Sequence, residues 1–221
     1  ARSTGDAEGE TVASGRSDVS AEEFAAACQT LSGHQRQVPP MFSALKHEGK
    51  PLYEYARKGI VIERKPRDIE IYSINISEFA APQAVIDVRC SKGTYIRTLS
   101  EDIAKRCGTF AYLTALRRTE TAGFTIAHSH TLEALAALSE TERDALLLPC
   151  DVLVQHLPKI ELNDVAVRML QQGQRPQFQE DKAREQPLRI YNSAGDFIGL
   201  AEYQHDIGRL KALRLMQNDA A

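Results

Sequence analysis

The sequence predicts an α+β fold, a mixed sheet with flanking helices, followed by a small β-rich domain at the C-terminal end. Residues 60–90 alternate between apolar and polar positions, as strands with one buried face do, and helical segments flank them. Residues 188–216 contain short apolar runs joined by turns with glycine, which is typical of a small barrel or sandwich. A length of 221 residues suits one large domain or two unequal ones.

The first helix is predicted over residues 20–33, after a polar, acidic stretch (1–18) that predicts a loop. Ser20 is a suitable N-cap, Glu23 completes a capping box, and Gly33 is a suitable end. Apolar residues recur at helical spacing and predict the core-facing side: Phe24, Cys28 and Leu31.

Three strands are predicted next, at 60–62, 69–74 and 85–88, with Pro82 in the turn between the last two. A helix follows, with Gly93 in the preceding turn, Thr94 as N-cap and Gly108 as C-cap. Its predicted buried stripe comprises Ile96, Leu99, Ile103 and Cys107.

The C-terminal third predicts one or two helices within 129–153 and a short helix over 163–174, capped by Asn163 and ended by Gly173. A charged loop is predicted over 179–187. Beyond it, strand-like runs turn at 193–196 and end the chain in 206–216.

Composition excludes several classes of protein. No apolar run reaches transmembrane length, and the first ten residues lack the basic and apolar regions of a signal peptide, so we expect a cytoplasmic protein. The cysteines are scattered, without a C-x-x-C pair or a histidine at ligand spacing, which argues against a zinc site and predicts buried free thiols: Cys28, Cys90, Cys107 and Cys150. We expect neither a metal nor a cofactor.

Charge is distributed unevenly along the chain. The net charge is −3, but residues 34–118 contain 15 Lys/Arg against 9 Asp/Glu and carry +6. Partner binding depends on such local fields more than on the total. A solvated charged face is the default explanation, and a nucleic-acid surface is the alternative.

Residues 36–59 combine aromatic and cationic side chains. Single-stranded or looped RNA needs this combination, since aromatic rings stack on bases and cations bind phosphates. A short helix over 51–58 with its tyrosines half in the core explains the pattern equally well. The residues in question are Phe42, Tyr53, Tyr55, Lys46, His47, Lys50, Arg57 and Lys58.

The segment CSKGTYIRTL (90–99) places Arg97 near a helix N-terminus, where backbone N–H groups already favour an anion. With Lys92 just upstream, the site suits a phosphate or a carboxylate, and a structural salt bridge is the alternative. The glycine spacings of a P-loop and of a dinucleotide-binding motif are both absent.

Three motifs in this order resemble the TruB family of tRNA pseudouridine synthases. They are QVPPMFSALKHEGKPLYEYARKGI (37–60), VRCSKGTYIRTLSEDIAKRCG (88–108) and LTALRRTETAGF (113–124). The tail from about 152 resembles the PUA-like RNA-binding domain of bacterial members less closely. The resemblance divides the chain into the C-terminal portion of a pseudouridine synthase catalytic domain (1–151) and a PUA-like domain (152–221). It also implies an insertion at about 34–62 that grips the T-loop arm of tRNA.

The resemblance implies isomerisation of uridine 55 in the tRNA T-loop to pseudouridine, without cofactor or metal. The base leaves the loop stack, an aspartate acts as nucleophile, and the uracil rejoins the sugar through carbon 5. By motif, Arg97 pairs with that aspartate, Tyr95 lies in the uridine pocket, and Leu116 contacts the target nucleotide. The implied RNA-binding residues are Lys46, Lys50, Tyr53, Arg57, Lys92, Arg117 and Arg118. We expect a monomer.

One departure from the family pattern concerns the nucleophile. The family places it in a loop before the T-G-D-A-E-G segment, which here begins at Thr4. Asp6 and Asp18 lack the flanking pattern, so neither is assigned this role. We therefore expect the nucleophile to be absent from these 221 residues and the chain alone to be inactive. A non-catalytic tRNA-binding protein or fragment is the alternative function.

Overall fold

The computed structural model describes residues 1–179 and 187–216, which form two compact units, Ala1–Arg117 and Arg118–Ala221. The charged loop predicted over 179–187 falls almost wholly outside the described residues. Within the described residues, no helix is long and apolar enough to span a membrane. The predicted domain boundary at 151/152 stays a prediction.

The first unit is built on a three-stranded antiparallel sheet of order β1-β4-β5, formed by Gly33–Gln37, Arg67–Ala80 and Gln83–Cys90. Helices α1 (Ala21–Thr30) and α3 (Ile96–Arg106) contribute to one core with this sheet. Its buried members are Ala27, Cys28, Leu31, Ile69, Ile71, Leu99, Ile103 and Cys107.

Local signals in the sequence explain α1, β4 and β5. The capping box of Ser20 and Glu23 is present at the start of α1, as predicted. Strands β4 and β5 form one long hairpin whose turn contains Pro82, which confirms the second and third predicted strands. The buried stripe of α3 is confirmed at Leu99, Ile103 and Cys107, and Ile96 packs against the same core.

The predicted strand at 60–62 is wrong. Residues 58–66 form no strand, and Val61 is 77% exposed. The amide of Ile60 instead donates to the carbonyl of Tyr55 at 3.0 Å and closes the end of α2 (Leu52–Arg57). Alternation alone does not make a strand where no neighbouring strand pairs with it. Pro66, which has no N–H to donate, directly precedes β4.

A small hairpin, β2 (Lys46–His47) and β3 (Lys50–Pro51), leads directly into α2. The first amides of α2 bond back to the segment before the hairpin, since Leu52 N–H donates to the carbonyl of Leu45 and Tyr53 N–H donates to the carbonyl of Ser43. The hairpin and helix therefore form one small hydrogen-bonded element, which we call the hairpin–helix element (residues 43–57).

The second unit contains a four-stranded sheet of order β11-β10-β9-β8, formed by Arg209–Leu215, Phe197–Gln204, Leu188–Tyr191 and Lys159–Glu161. Only the β8–β9 pair is parallel among the described strands. The two-stranded hairpin β6 (Glu120–Thr121) and β7 (Phe124–Thr125) and helices α4 (Leu132–Ala137) and α5 (Glu140–Asp144) precede this sheet in sequence.

Helix α6 (Asp164–Gln171) covers the second core, with Asn163 as the predicted N-cap. Buried residues of this core include Leu170, Leu188, Ile190 and Leu210. At Gly199 the backbone has a φ of +144°, and a Cβ there would lie 2.2 Å from the carbonyl oxygen of Arg214. Only glycine fits between β10 and β11 at this point.

The prediction of four buried thiols is partly wrong. All four cysteines are free; Cys28 and Cys107 are buried, Cys90 is half-buried, and Cys150 is exposed. Cys150 lies in the turn after α5, where no core side chains surround it. Within the described residues, no group of three or more His, Cys, Asp or Glu side chains is arranged to hold a metal ion.

Candidate active site

The turn between β5 and α3 is hydrogen-bonded to β4, the central strand of the sheet. Ser91 N–H donates to the carbonyl of Glu70 at 2.8 Å, and its Oγ accepts from Glu70 N–H at 2.9 Å. Gly93, at a φ of +84°, then reverses the chain, as predicted. The start of α3 is therefore held in a defined place relative to β4.

Tyr95, and not Thr94, is the N-cap residue of α3, so that part of the prediction is wrong. The Thr94 hydroxyl lies 3.5 Å from Ser91 Oγ and makes no capping bond. The side chain of Gln37 instead accepts from Tyr95 N–H at 2.8 Å. A residue of strand β1 thus satisfies the amide of the N-cap residue.

Arg97 projects from the first turn of α3 into a group of oxygen acceptors. Nη1 donates to the carbonyl of Thr4 and to Asp6 Oδ2, both at 3.2 Å, and Nη2 donates to the carbonyl of Phe42 at 2.7 Å. Three of the five N–H donors of the Arg97 guanidinium are thus bonded to acceptors among the described residues. Its other two N–H donors have no acceptor among the described residues.

The segment that carries Asp6 is tightly held. Leu113 N–H donates to the carbonyl of Gly5, and Ala7 N–H donates to that of Leu113, each at 2.9 Å. Gly5 is buried at a φ of +76°, and a Cβ there would lie 3.3 Å from Glu101 Oε1 and 3.4 Å from Arg97 Cβ. Residues 1–18 were predicted to be a loop; part of this loop packs closely against α3.

Glu101 lies one helical turn after Arg97 on α3. Burial raises the pKa of its carboxyl group, and the nearby Lys105 ammonium opposes this shift. Glu101 lines a cavity of about 260 Å³ together with Ser3, Thr4, Gly5, Pro40, Met41, Phe42 and Arg64. This face of α3 is therefore polar and partly enclosed, opposite the stripe that packs into the core.

Four of the predicted RNA-binding residues belong to the hairpin–helix element. Lys46, Lys50 and Arg57 are exposed, and Tyr53 is half-buried. The Arg57 guanidinium lies over the Tyr53 ring at 5.2 Å from its centroid. Tyr55 has a different role, since its hydroxyl donates to the carbonyl of His47 at 3.2 Å and joins the helix to the hairpin.

The other predicted site residues are exposed but lie in different segments. Lys92 lies in the turn before α3, three residues before the half-buried Tyr95. Leu116 is 65% exposed, and Arg117 and Arg118, which straddle the boundary of the two units, are exposed as well. The roles of these residues stay predictions.

Asp6 and Gln37 are two site residues to which sequence reasoning assigned no role. Asp6 lies 91 positions before Arg97, and Gln37 lies 58 positions before Tyr95. No periodicity or spacing connects residues so far apart. The only available signal was that each falls within a segment resembling the family, T-G-D-A-E-G for Asp6 and Q-V-P-P for Gln37.

Comparison with known proteins decides the family. Family models match along the chain: TruB family pseudouridylate synthase (N terminal domain) over 1–96, and tRNA pseudouridylate synthase B C-terminal domain over 97–155. A third, Pseudouridine synthase II TruB, C-terminal, covers 158–216. The tRNA pseudouridine synthase B of Neisseria gonorrhoeae (strain FA 1090) is 73% identical over all 221 residues, which span 72% of that protein.

The chain belongs to the TruB family of tRNA pseudouridine synthases. The Chromobacterium violaceum family member is more distant, at 46% identity over 98% of this chain and 71% of that protein. The predicted family is therefore confirmed, and with it the enzyme class, an isomerase that forms pseudouridine in tRNA.

Solved structures confirm the fold of this TruB family chain. A crystal structure of a Cbf5-Nop10-Gar1 complex contains a chain with a TM-score of 0.64 and 21% identity. The match covers 90% of this chain and 62% of that one. An H/ACA RNP bound to a substrate RNA containing 2'-deoxyuridine gives the same TM-score at 18% identity, over 92% and 63%. The predicted α+β fold with a C-terminal PUA-like sheet domain agrees with these matches.

Proposed function

We propose that the polypeptide carrying this sequence converts uridine 55 in the T-loop of tRNA to pseudouridine, with Arg97 positioning the carboxylate that reacts. The observation that carries the proposal is the contact of Arg97 with both the Asp6 carboxylate and the carbonyl of Phe42. This guanidinium thereby connects a carboxylate to the segment that leads into the hairpin–helix element.

In the proposed reaction, the bond between N1 of uracil and C1′ of ribose breaks, the uracil rotates, and a bond forms between C5 and C1′. The proton on C5 is then released to solvent and N1 takes up a proton, so substrate and product are isomers. An aspartate carboxylate forms a transient bond to the sugar or to the base. The base is reached after it leaves the loop stack, as other base-modifying enzymes require.

We propose that the nucleophile is an aspartate other than Asp6, as the resemblance implies. Asp6 shares Nη1 of Arg97 with the carbonyl of Thr4, and its side chain is 41% exposed. A second carboxylate on the remaining donors would stay ionised, since a guanidinium at contact distance favours the charged form. Asp6 would then share Arg97 with the nucleophile and restrict its orientation.

The remaining elements have proposed roles in tRNA binding. We assign the T-loop arm to the insertion at about 34–62, which includes Lys46, Lys50, Tyr53 and Arg57. Tyr95 and Leu116 contact the target uridine, and Lys92, Arg117 and Arg118 contact phosphates. In this proposal 1–151 belongs to the catalytic domain and 152–221 is a PUA-like domain. The protein acts as a cytoplasmic monomer, and the reaction uses no cofactor or metal.

Tritium release tests the proposal. Unmodified tRNA carrying uridine labelled at C5 is incubated with the polypeptide encoded by the intact gene, and tritium is released only if a new bond forms at C5. We expect release from wild-type tRNA and none from tRNA with cytidine at position 55. Binding that weakens linearly in log affinity with log salt, without any release, would instead establish the non-catalytic alternative.

A substitution of Asp6 separates the two assignments of the nucleophile. Asp6→Asn keeps the shape of the side chain and removes its charge. If Asp6 only shares Arg97, release slows but continues; if Asp6 is itself the nucleophile, release stops. Asp18→Asn is the matched control, since Asp18 is exposed and lies 3.8 Å from Arg16, away from Arg97.

A further inference from the structure

Gln37 is a buried polar residue whose whole side-chain amide is used on one distant residue. It ends strand β1, and only 3% of it is exposed. Its Oε1 accepts from Tyr95 N–H at 2.8 Å, and its Nε2 donates to the Tyr95 carbonyl at 3.1 Å. The side chain therefore pairs with both peptide groups of Tyr95, as a neighbouring strand would.

Tyr95 is the residue at which α3 begins. Its carbonyl also accepts the first helical bond, from Leu99 N–H at 3.0 Å. The helix has no side-chain cap of its own. Gln37 thus fixes the point from which α3 starts, and Arg97 follows two residues later.

The same stretch of chain reaches α3 a second time. Residues 38–42 continue from Gln37, and the Phe42 carbonyl accepts from Arg97 Nη2 at 2.7 Å. Gln37 at one end and Phe42 at the other therefore attach this stretch to Tyr95 and to Arg97. The hairpin–helix element begins immediately afterwards, at Ser43.

We propose that Gln37 is a positioning residue, which sets Tyr95 and Arg97 in place for the reaction without touching the RNA. The inference rests on the proposed function in assigning Tyr95 to the uridine pocket and Arg97 to the reacting carboxylate. Loss of both hydrogen bonds frees the Tyr95 backbone and shifts the first turn of α3. Small displacements of this kind reduce turnover strongly, whereas most of the proposed tRNA contacts come from other segments.

Two substitutions test this role in the polypeptide encoded by the intact gene. Gln37→Met keeps the length and volume of the side chain and removes both hydrogen bonds. We expect kcat to fall about 10- to 100-fold while KM for tRNA changes less than about twofold. Gln37→Glu keeps the acceptor for Tyr95 N–H and loses the donor when ionised, so its kcat should lie between those of wild type and Gln37→Met.

Gln35→Met is the matched control. Gln35 lies on the same face of β1, two residues earlier, but its Nε2 donates to the carbonyl of Leu31, at the end of α1. Its kcat should stay within about twofold of wild type. Circular dichroism melting identifies any variant that fails to fold. If Gln37→Met does not fold, the inference is tested by the kcat of Gln37→Glu, which should be lower than the kcat of Gln35→Met.

Amide hydrogen exchange tests the same inference without any catalysis. In Gln37→Met, exchange at Tyr95 should accelerate about tenfold or more, while that at Ile103 in the same helix stays unchanged. Turnover within twofold of wild type in Gln37→Met, or equal losses in kcat and in tRNA affinity, would overturn the inference. If the wild-type protein releases no tritium, the proposed function fails, and unaltered Tyr95 exchange would then overturn this inference separately.

Discussion

Arg97 and Asp6 form an ion pair of 3.2 Å across 91 residues of sequence. Neither side chain is fully buried, with exposed fractions of 24% and 41%, so the pair alone contributes little to stability. The ion pair instead fixes the relative positions of these residues, because the same guanidinium also binds the carbonyls of Thr4 and Phe42. Two segments distant in sequence, residues 4–6 and Phe42, therefore meet at one planar cation on α3.

Replacement of Arg97 should affect turnover more than binding. A lysine ammonium cannot reach Thr4, Asp6 and Phe42 with the planar geometry of a guanidinium, so Arg97→Lys should behave almost like Arg97→Ala. We expect kcat to fall at least about 100-fold with KM for tRNA nearly unchanged. Steady-state tritium release measures both. Arg106→Ala, at the exposed end of the same helix, should retain wild-type turnover.

Gly5→Ala should reduce both stability and turnover. A Cβ at a φ of +76° costs about 1 kcal/mol, and here it also presses on Arg97 and Glu101. The matched control is Gly108→Ala, where φ is +67° and nothing lies within 4 Å of the added Cβ. Thermal melts should show a lower Tm for both variants, and tritium release should slow only for Gly5→Ala. Equal turnover in the two variants would contradict a close fit at Arg97.

Removal of the cations of the hairpin–helix element should weaken tRNA binding in a salt-dependent way. If Lys46, Lys50 and Arg57 each neutralise a phosphate, replacing all three by alanine reduces the slope of log affinity against log salt by about 2 to 3. Filter binding over a salt series measures the slope. Lys105→Ala is the control, because Lys105 is paired with Asp102 at 3.2 Å on α3, and its slope should be that of wild type.

The stability contributed by Glu101 should decrease as pH rises. Burial raises its pKa in the folded protein, so the folded state holds the proton more tightly than the unfolded state does. The stabilisation is complete below the unfolded pKa of about 4.3 and is lost as pH rises through the folded value. Glu101→Gln should therefore raise Tm at pH 7, and this gain should vanish near pH 4. Glu63→Gln, at an exposed position, should show no such change.

Asp151 in the second unit should show the opposite pH dependence. Its carboxylate accepts hydrogen bonds from Tyr191 Oη and from Arg189 Nη1, the latter at 3.3 Å. The Tyr191 hydrogen bond, with Arg189 nearby, lowers the pKa of Asp151, so its stabilisation is present at neutral pH and lost as pH falls through the folded value. Asp151→Asn should lower Tm at pH 7, and its Tm should differ less from that of wild type in acid. Asp206→Asn, at an exposed site, should leave Tm unchanged at both pH values.

Local patterns in the sequence predicted the elements whose signals are local. The capping box of α1, the buried stripe of α3 and the β4–β5 hairpin all follow from residues within a few positions of one another. The strand predicted at 60–62 failed because a strand needs a partner, which alternation cannot supply. Thr94 was predicted as the cap, but α3 begins at Tyr95, whose N–H donates to Gln37, 58 residues away.

The site was only half predictable for the same physical reason. Arg97 could be recognised as a cation near a helix N-terminus, which implies an anion. The identity of its acceptors depends on where residues 4–6 and Phe42 come to lie, and no spacing in the sequence encodes that. Periodicity reports which side of an element is buried, whereas contacts between distant segments are set by how those elements pack.

The most direct test of the central claim is tritium release by the polypeptide encoded by the intact gene, measured for wild type and Arg97→Lys on tRNA labelled at C5 of uridine. The account predicts release by wild type that depends on uridine 55, and at least about 100-fold slower release by Arg97→Lys with tRNA affinity preserved. Wild-type turnover by Arg97→Lys, or release that persists with cytidine at position 55, would contradict it.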